Sequence, residues 1–139
     1  MQSLSSSRRL VLACRLLLVV FCLVACYQLR AYAVTRILTD DDKGNDVQVR
    51  VGDFLEVRLK SNPKGGTKWF VHPKSTALLR LSDETQKPGT DPGDPRPMVQ
   101  VFTFEVKRKG DGILLMRYAP AKQKPQLGEE EYTLHVVIE

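Results

Sequence analysis

Residues 47–60 have the sequence VQVRVGDFLEVRLK, in which apolar and polar side chains alternate on both sides of a central Gly-Asp pair. Alternation with a period of two places successive side chains on opposite faces of a strand, and Gly-Asp between two such runs is a turn signal. The stretch therefore predicts two strands joined by a short turn, each with one face directed at an apolar core.

The same pattern continues along the chain after residue 60. Further strands are predicted at residues 67–71, 77–81, 98–107, 113–118 and 132–139, with Gly110-Asp-Gly112 as a tight turn. In this region, apolar residues do not recur at the spacing of three to four residues that is typical of an amphipathic helix. About seven to eight short strands in roughly 100 residues are typical of an all-β, immunoglobulin-like β-sandwich, which is the fold that we predict.

Two long connections are expected between these strands, at residues 82–97 and 119–131. The former is rich in Pro, Gly, Asp and Thr, and the latter contains two prolines and three consecutive glutamates. Connections of this length are more often functional or disordered than simple linkers. The acidic triplets at 40–42 and 129–131 are expected to be solvated edges.

The N-terminal third differs in composition from the rest. The pair Arg8-Arg9 precedes an apolar run at residues 16–25, and no acidic residue occurs before Asp40. This is the pattern of an export signal, and a run of about ten apolar residues is short against the roughly 20 that cross a bilayer as a helix. We therefore expect residues 1–33 to be a signal segment and residues 34–139 to form one exported domain, periplasmic or secreted.

Two processing routes for this segment stay open. Ala31-Tyr-Ala33 has the small-x-small pattern of a signal-peptidase site, whereas Leu23-Val-Ala-Cys26 is similar to a lipobox whose cysteine is acylated. All three cysteines lie at or before Cys26, so the domain has no disulfide, thiolate nucleophile or cysteine ligand. Membrane attachment is expected only through the signal segment or through lipid on Cys26.

The net charge of +5 is concentrated in the signal segment. Residues 1–33 hold four arginines and no acid, which leaves 17 of the 21 basic residues against all 16 acidic ones in the domain. Binding to a phosphate backbone needs clustered cations, and the basic runs of the domain are short. Nucleic acid is therefore not an expected partner.

Few residues are candidates for catalysis. The two histidines, His72 and His135, are far apart in the sequence, and His135 alternates against Leu134 and Val136, so it faces away from their side of the strand. No acid lies in an apolar run where burial would raise its pKa, and no glycine-rich loop leads into a helix. We therefore expect a binding protein, not an enzyme, with no catalytic residues, metal or cofactor.

The most specific motif of the domain is SNPKGGTKWF at residues 61–70. Asn62-Pro63, Gly66 and Trp69 have the spacing N-P-x-x-G-x-x-W. In this motif the chain resembles the chagasin family, protein inhibitors of papain-like cysteine peptidases. VQVRVGDFLEVRLKSNP before it and VFTFEVKRKGDGILLMRYAP after it are similar to strands of that family. The resemblance covers residues 45–139 and implies an immunoglobulin-like sandwich that inhibits with three adjacent loops.

The resemblance also implies which residues contact a peptidase. The main loop would contribute Asn62, Pro63, Lys64, Gly65, Gly66 and Thr67, with Trp69 as its anchor. The family's second and third loop motifs are present only in part. In the second loop, DPGDPRP at residues 91–97 stands in place of the family's G-x-G-G motif. In the third loop, only Pro120 of the family's Arg-Pro-Trp motif is present. The secondary contact residues would be Gly93, Arg96, Pro97, Ala119, Pro120 and Ala121.

A physical reason for inhibition follows from the same residues. Pro63 fixes φ and Gly65-Gly66 permit positive φ, so the tip can turn tightly. Trp69 is expected to bury its ring beneath the tip and to stiffen it, which reduces the entropy lost on binding. We expect a monomeric, reversible inhibitor of papain-like cysteine peptidases. The changed second and third loop motifs leave one alternative, a non-inhibitory envelope or adhesion module on the same sandwich.

Overall fold

The computed structural model describes residues 10–21, 32–122 and 130–139 of the 139-residue chain. The chain divides into two compact units, Met1–Tyr32 and Ala33–Glu139. Residues 10–21 form a helix. Among the described residues, no helix combines the length and the apolar content that a bilayer crossing requires. The candidate processing positions 23–26 and Ala31 lie outside the described residues, so both processing routes stay predictions.

The unit Ala33–Glu139 is all-β, as predicted, and its described part contains eight strands. Their bounds are Thr35–Leu38 (β1), Asp46–Val49 (β2), Phe54–Ser61 (β3), Thr67–Val71 (β4), Leu79–Pro88 (β5), Met98–Val106 (β6), Gly110–Pro120 (β7) and Glu130–Ile138 (β8). Two short 3₁₀ helices, Asp40–Asp42 and Pro73–Thr76, follow β1 and β4.

The strands form two four-stranded sheets. The first has the order β1-β3-β6-β5, and the second has the order β2-β8-β7-β4. β1 runs parallel to β3 and β2 runs parallel to β8, whereas the other neighbours are antiparallel. The chain passes from the first sheet to the second between β3 and β4, so the loop that joins them lies at an end shared by both sheets.

The inner faces of the two sheets enclose one apolar core. Leu55, Val57 and Leu59 of β3 are fully buried, as their alternation predicts, and Leu114 and Met116 of β7 face them from the second sheet. Burial of a side chain of this size contributes about 1.5–3 kcal/mol. Because residues 33–139 contain no cysteine, this core and the sheet hydrogen bonds hold the unit together without a covalent cross-link.

The structure corrects the strand prediction in three places. The sequence pattern misses β1, because only one of its four side chains, Leu38, is buried. β5 continues to Pro88, although a loop is expected from residue 82. Its side chains after Leu79 are exposed, so this part of the strand is held by pairing with β6 and not by burial. β7 begins at Gly110, so the predicted Gly-Asp-Gly turn lies within a strand and residues 107–109 make the reversal.

The described residues of both acidic triplets are exposed or half-buried and also make contacts within the fold. Asp42 Oδ2 accepts a hydrogen bond from Thr39 N at 2.7 Å, and Asp40 Oδ2 accepts one from Lys60 N at 3.2 Å. Burial raises the pKa of Asp40 above its usual value. Within the second triplet, Glu131 Oε1 lies 3.0 Å from Arg117 Nε. The acids therefore help to fix the ends of strands.

The histidines have surface roles in the described structure. His135 Nδ1 lies 3.2 Å from Asp46 Oδ1, and its side chain is 43% exposed on the outer face of β8, as the alternation predicts. His72 Nδ1 accepts a hydrogen bond from Lys74 N at 3.2 Å at the start of a 3₁₀ helix. In the parts of the chain that are described, no three His, Cys, Asp or Glu side chains are arranged to hold a metal ion.

Candidate functional site: three loops at one end of the sandwich

Three loops lie at the same end of the two sheets. They are the first loop, residues 62–66 between β3 and β4; the second loop, residues 89–97 between β5 and β6; and the start of the third loop, residues 121–122 after β7. Residues 123–129 of the third loop lie outside the described residues. The strand register brings the loops together, since Ser61 pairs with Met98 and Thr67 pairs with Pro120.

Residues 63–66 of the first loop form a four-residue turn that is closed between Asn62 and Thr67. Thr67 N donates to Asn62 O at 3.1 Å, and Gly66 N donates to Pro63 O at 3.1 Å. The side chain of Asn62 adds a third bond, because its Oδ1 accepts from Gly65 N at 2.9 Å. These three bonds hold the turn closed.

The two glycines of the first loop serve different purposes. Gly66 has φ +91°, and a Cβ there would meet no atom within 4 Å, so the requirement for glycine is conformational. Gly65 does not have positive φ, which corrects the expectation that both glycines use it. A Cβ on Gly65 would instead collide with the side-chain amide of Asn62. A side chain at Gly65 would therefore displace the group that closes the turn.

Trp69 packs beneath the first loop, as the sequence predicts. Its side chain is 2% exposed, and its Nε1 donates to Lys60 O at 2.9 Å. The ring lies against Tyr118, with centroids 5.1 Å apart, and edge-on against Tyr132 at 6.4 Å. Aromatic pairs of this kind contribute about 0.5–1.5 kcal/mol beyond the area that they bury. The indole therefore connects the strand before the loop to the second sheet.

Tyr118 of β7 contacts the first and second loops, although the sequence pattern gives it no role. Its hydroxyl accepts a hydrogen bond from Asn62 N at 3.1 Å, and its ring faces the Arg96 guanidinium at 4.2 Å. Ala121 N donates to Gly66 O at 2.6 Å and so ties the start of the third loop to the tip. The loops are therefore supported by one another as well as by the sheets.

The side-chain amide of Gln100 joins the two sheets close to this end. Gln100 is fully buried; its Oε1 accepts from Trp69 N at 2.9 Å and its Nε2 donates to Trp69 O at 3.1 Å. The amide thus pairs with the free edge of β4 as a neighbouring strand would. Nε2 also donates to Glu84 Oε1 at 2.8 Å. A polar residue at an inward position of an apolar strand is the sequence signal for such a contact, because a buried amide needs partners.

Two ion pairs anchor the second loop. Lys60 Nζ lies 2.6 Å from Asp94 Oδ2, and the Arg96 guanidinium pairs with the carboxylate of Glu130 at the start of β8. The hydrogen bond from Lys60 lowers the pKa of Asp94, and the hydrogen bond from Arg96 lowers the pKa of Glu130. An exposed pair contributes at most about 1 kcal/mol. Their main effect here is to fix the loop relative to β3 and β8.

The predicted contact residues differ in accessibility. The exposed ones are Lys64, Gly65, Gly66, Gly93, Pro97, Pro120 and Ala121. Asn62, Pro63, Thr67 and Arg96 are half-buried. Ala119 is 1% exposed, so its side chain packs in the interior and does not face a partner. The surface open to a partner is therefore the tip of the first loop with parts of the second loop and the start of the third.

Ser61 Oγ is buried at the base of the first loop and has no hydrogen-bond partner among the described residues. A buried hydroxyl without a partner costs about 1–3 kcal/mol of lost hydration. We therefore expect Ser61→Ala to leave the free energy of unfolding unchanged or to raise it by up to about 1 kcal/mol, as measured by urea denaturation. A clear loss of stability in this variant would show that the hydroxyl has a partner in solution.

The fold is similar to that of solved cysteine protease inhibitors. The cysteine protease inhibitor EhICP2 from Entamoeba histolytica superposes with a TM-score of 0.62 and 22% sequence identity, over 78% of this chain and 98% of that chain. Amebosin superposes with a TM-score of 0.56 and 21% identity, over 78% of this chain and 100% of that chain. At these identities the similarity shows the fold alone.

The sequence itself carries the family assignment. A comparison with curated proteins gives no significant match. The family model described as Chagasin family peptidase inhibitor I42 matches residues 48–136, which include β3 to β7, the second half of β2 and most of β8. Because this match includes more than half of the chain, the protein belongs to the chagasin family of peptidase inhibitors.

Proposed function

We propose that the chain is an exported, reversible inhibitor of papain-like cysteine peptidases that fills the active-site cleft with its three loops. Membership of a peptidase inhibitor family supports the class of activity. The observation that carries the proposal is the supported tip, in which the exposed residues 64–66 lie above the buried Trp69 and the hydroxyl of Tyr118 bonds to Asn62 N. A turn already fixed in this way loses little conformational entropy on binding.

The hydrogen bonds of the tip also give a reason why it would not be cut. The bonds from Thr67 N to Asn62 O and from Ala121 N to Gly66 O hold both ends of the first loop. A peptide bond inside this closed turn cannot extend along a cleft without breaking them. Because Gly65 and Gly66 have no side chain, the backbone at the tip can approach the walls of a narrow groove. The first loop therefore blocks the groove without taking the extended form of a substrate.

The export part of the proposal rests on residues 1–33. The arginine pair, the short apolar run and the absence of acids before Asp40 support it. Mass spectrometry of the protein from its native host separates the routes, since cleavage after Ala33 and acylation of Cys26 give different masses. A product that retains residues 1–22 without lipid would contradict both.

Inhibition is tested by titrating the chain against papain and several related cysteine peptidases, with paired glycine variants. Gly66→Ala should weaken inhibition by about 10-fold or more, because strain in the turn moves the tip and the methyl group projects from it. Gly52→Ala is the matched control, since Gly52 has φ +94° with no atom within 4 Å of its Cβ position.

The control separates lost inhibition from lost stability. Gly52 N donates to Val106 O at 2.9 Å, and Val106 ends β6 at the end of the sandwich opposite the three loops. Both variants should lose a similar amount of stability, about 1–2 kcal/mol, whereas only Gly66→Ala should lose affinity. Equal inhibition by the two variants would contradict binding through the first loop. No inhibition by the unmodified chain at tens of micromolar would contradict the proposed function itself.

A further inference from the structure

The first loop and the start of the third loop carry lysines and no acidic residue of their own. Segments 62–68 and 119–122 contain Lys64, Lys68 and Lys122 and no Asp or Glu. Lys64 and Lys122 are exposed, and Lys68 Nζ lies 5.0 Å from the centroid of a phenylalanine ring. Over the described part of the chain, none of the three ammonium groups forms an ion pair. These charges are therefore available to a partner.

The charges of the second loop are mostly neutralised within the fold. Lys60 pairs with Asp94, and Arg96 pairs with Glu130. Asp91 adds a further carboxylate on this loop, and its Oδ1 accepts from Gly93 N at 3.0 Å. Among the described residues of this end, the unpaired positive charge therefore lies on the first loop, on β4 and at the start of the third loop.

The backbone pairing keeps the three lysines on adjoining segments. Lys68 of β4 is directly opposite Ala119 of β7, and Gly66 O accepts the hydrogen bond from Ala121 N. Lys64 lies at the exposed tip between these contacts and Lys122 follows Ala121. The segments that carry the three lysines are called here the lysine face, which lies on and beside the loop proposed to enter the cleft.

We propose that the lysine face docks against carboxylates on the rim of the target peptidase's cleft and that it selects for peptidases with an acidic rim. This inference rests on the proposed inhibitory function. Exposed charges act over about 10 Å at 0.1 M salt, and rim charges change the association rate more than the dissociation rate. Lys64 and Lys122 therefore determine how fast the inhibitor binds an acidic target, while the turn of the first loop determines how long it stays.

An acidic protein fits this surface better than a nucleic acid or an anionic membrane does. Phosphate surfaces are continuous and require a wide area of cations. The same end of the sandwich carries Asp91 on the second loop, and Asp40 lies where it interacts with Lys60 and Arg96. An extended phosphate surface would cover these acids as well as the lysines and would be repelled by them. Carboxylates on one wall of a cleft would face the lysines alone.

The test uses the full chain and two double variants with the same change in net charge. Lys64→Glu with Lys122→Glu reverses the lysine face. Arg108→Glu with Lys109→Glu reverses two exposed cations between β6 and β7, at the opposite end of the sandwich. Association and dissociation rates are measured against a papain-like peptidase with carboxylates on its cleft rim and against its variant with those carboxylates changed to amides.

At about 0.01 M salt, reversal of the lysine face should lower the association rate for the acidic peptidase by about 10-fold or more. The control pair should lower it less than threefold, and the difference should nearly vanish at about 1 M salt, where the Debye length is about 3 Å. Against the amide variant of the peptidase, reversal should have little effect.

Three results would overturn the inference. Inhibition with equal association rates for the two double variants would refute it and leave the proposed function intact. A loss that persists against the amide variant of the peptidase would also refute it, because the loss would then come from damage to the loop. Failure of the unmodified chain to inhibit either peptidase would refute the proposed function and this inference together.

Discussion

Replacement of Trp69 by alanine should lower the free energy of unfolding by about 3–5 kcal/mol, the range for a large aromatic side chain truncated in a core. The indole is 2% exposed, contacts Tyr118 and Tyr132, and donates to Lys60 O. Its removal leaves a cavity and an unpaired carbonyl beneath the first loop. Urea denaturation gives the stability, and inhibition measured below the unfolding transition should fall as the tip loses its support.

Trp69→Phe is the control for this prediction. Phenylalanine keeps part of the ring packing but cannot donate to Lys60 O, so a cost of about 1–2 kcal/mol is expected, close to that of one buried hydrogen bond with a small loss of contact. If Trp69→Ala were no more damaging than Trp69→Phe, packing of the indole would not be what stabilises this end of the sandwich.

Gln100→Met should cost about 2–4 kcal/mol of stability although methionine has a similar volume. The substitution leaves Trp69 N and Trp69 O without the partners that the Gln100 amide provides, and each buried backbone group left unpaired costs about 1–3 kcal/mol. Because β4 is the edge strand of the second sheet, no neighbouring strand can replace those bonds. Thermal and urea denaturation should both show the loss.

Gln86→Met is the matched control for Gln100→Met. Gln86 is directly opposite Gln100 in the pairing of β5 with β6, but it is exposed. Its replacement should change stability by no more than about 0.5 kcal/mol, as surface substitutions usually do. Similar costs for the two variants would show that the amide of Gln100 is not a stabilising link between the sheets.

The fold could be predicted from sequence wherever a strand buries one face. β3 alternates Leu55, Val57 and Leu59 with polar residues, and these are the residues that the structure buries. β1 and the outer part of β5 give no such signal, because β1 buries one side chain and β5 buries none after Leu79. Hydrogen bonds to β3 and β6 place these two strands, and no local sequence pattern encodes that pairing.

The same distinction holds for the loops. The turn chemistry of Asn62 and Gly66 and the anchor at Trp69 lie within eight residues of one another, so one motif contains them. Gln100 and Tyr118 act on partners 31 and 56 residues away in the chain. Their side chains are ordinary in sequence and acquire a role only when the sheets pack. The sequence therefore predicts the residues of the tip, whereas the contacts that support the tip are known only from the structure.

The core of residues 33–139 is held by apolar packing and hydrogen bonds alone, since this part of the sequence has no cysteine. Cysteine peptidases attack through a thiolate, so they are active only where that sulfur stays reduced. A reductant strong enough to open the disulfides of a cross-linked inhibitor has no bond to reduce in residues 33–139. The reducing conditions in which the proposed target is active therefore do not unfold this protein.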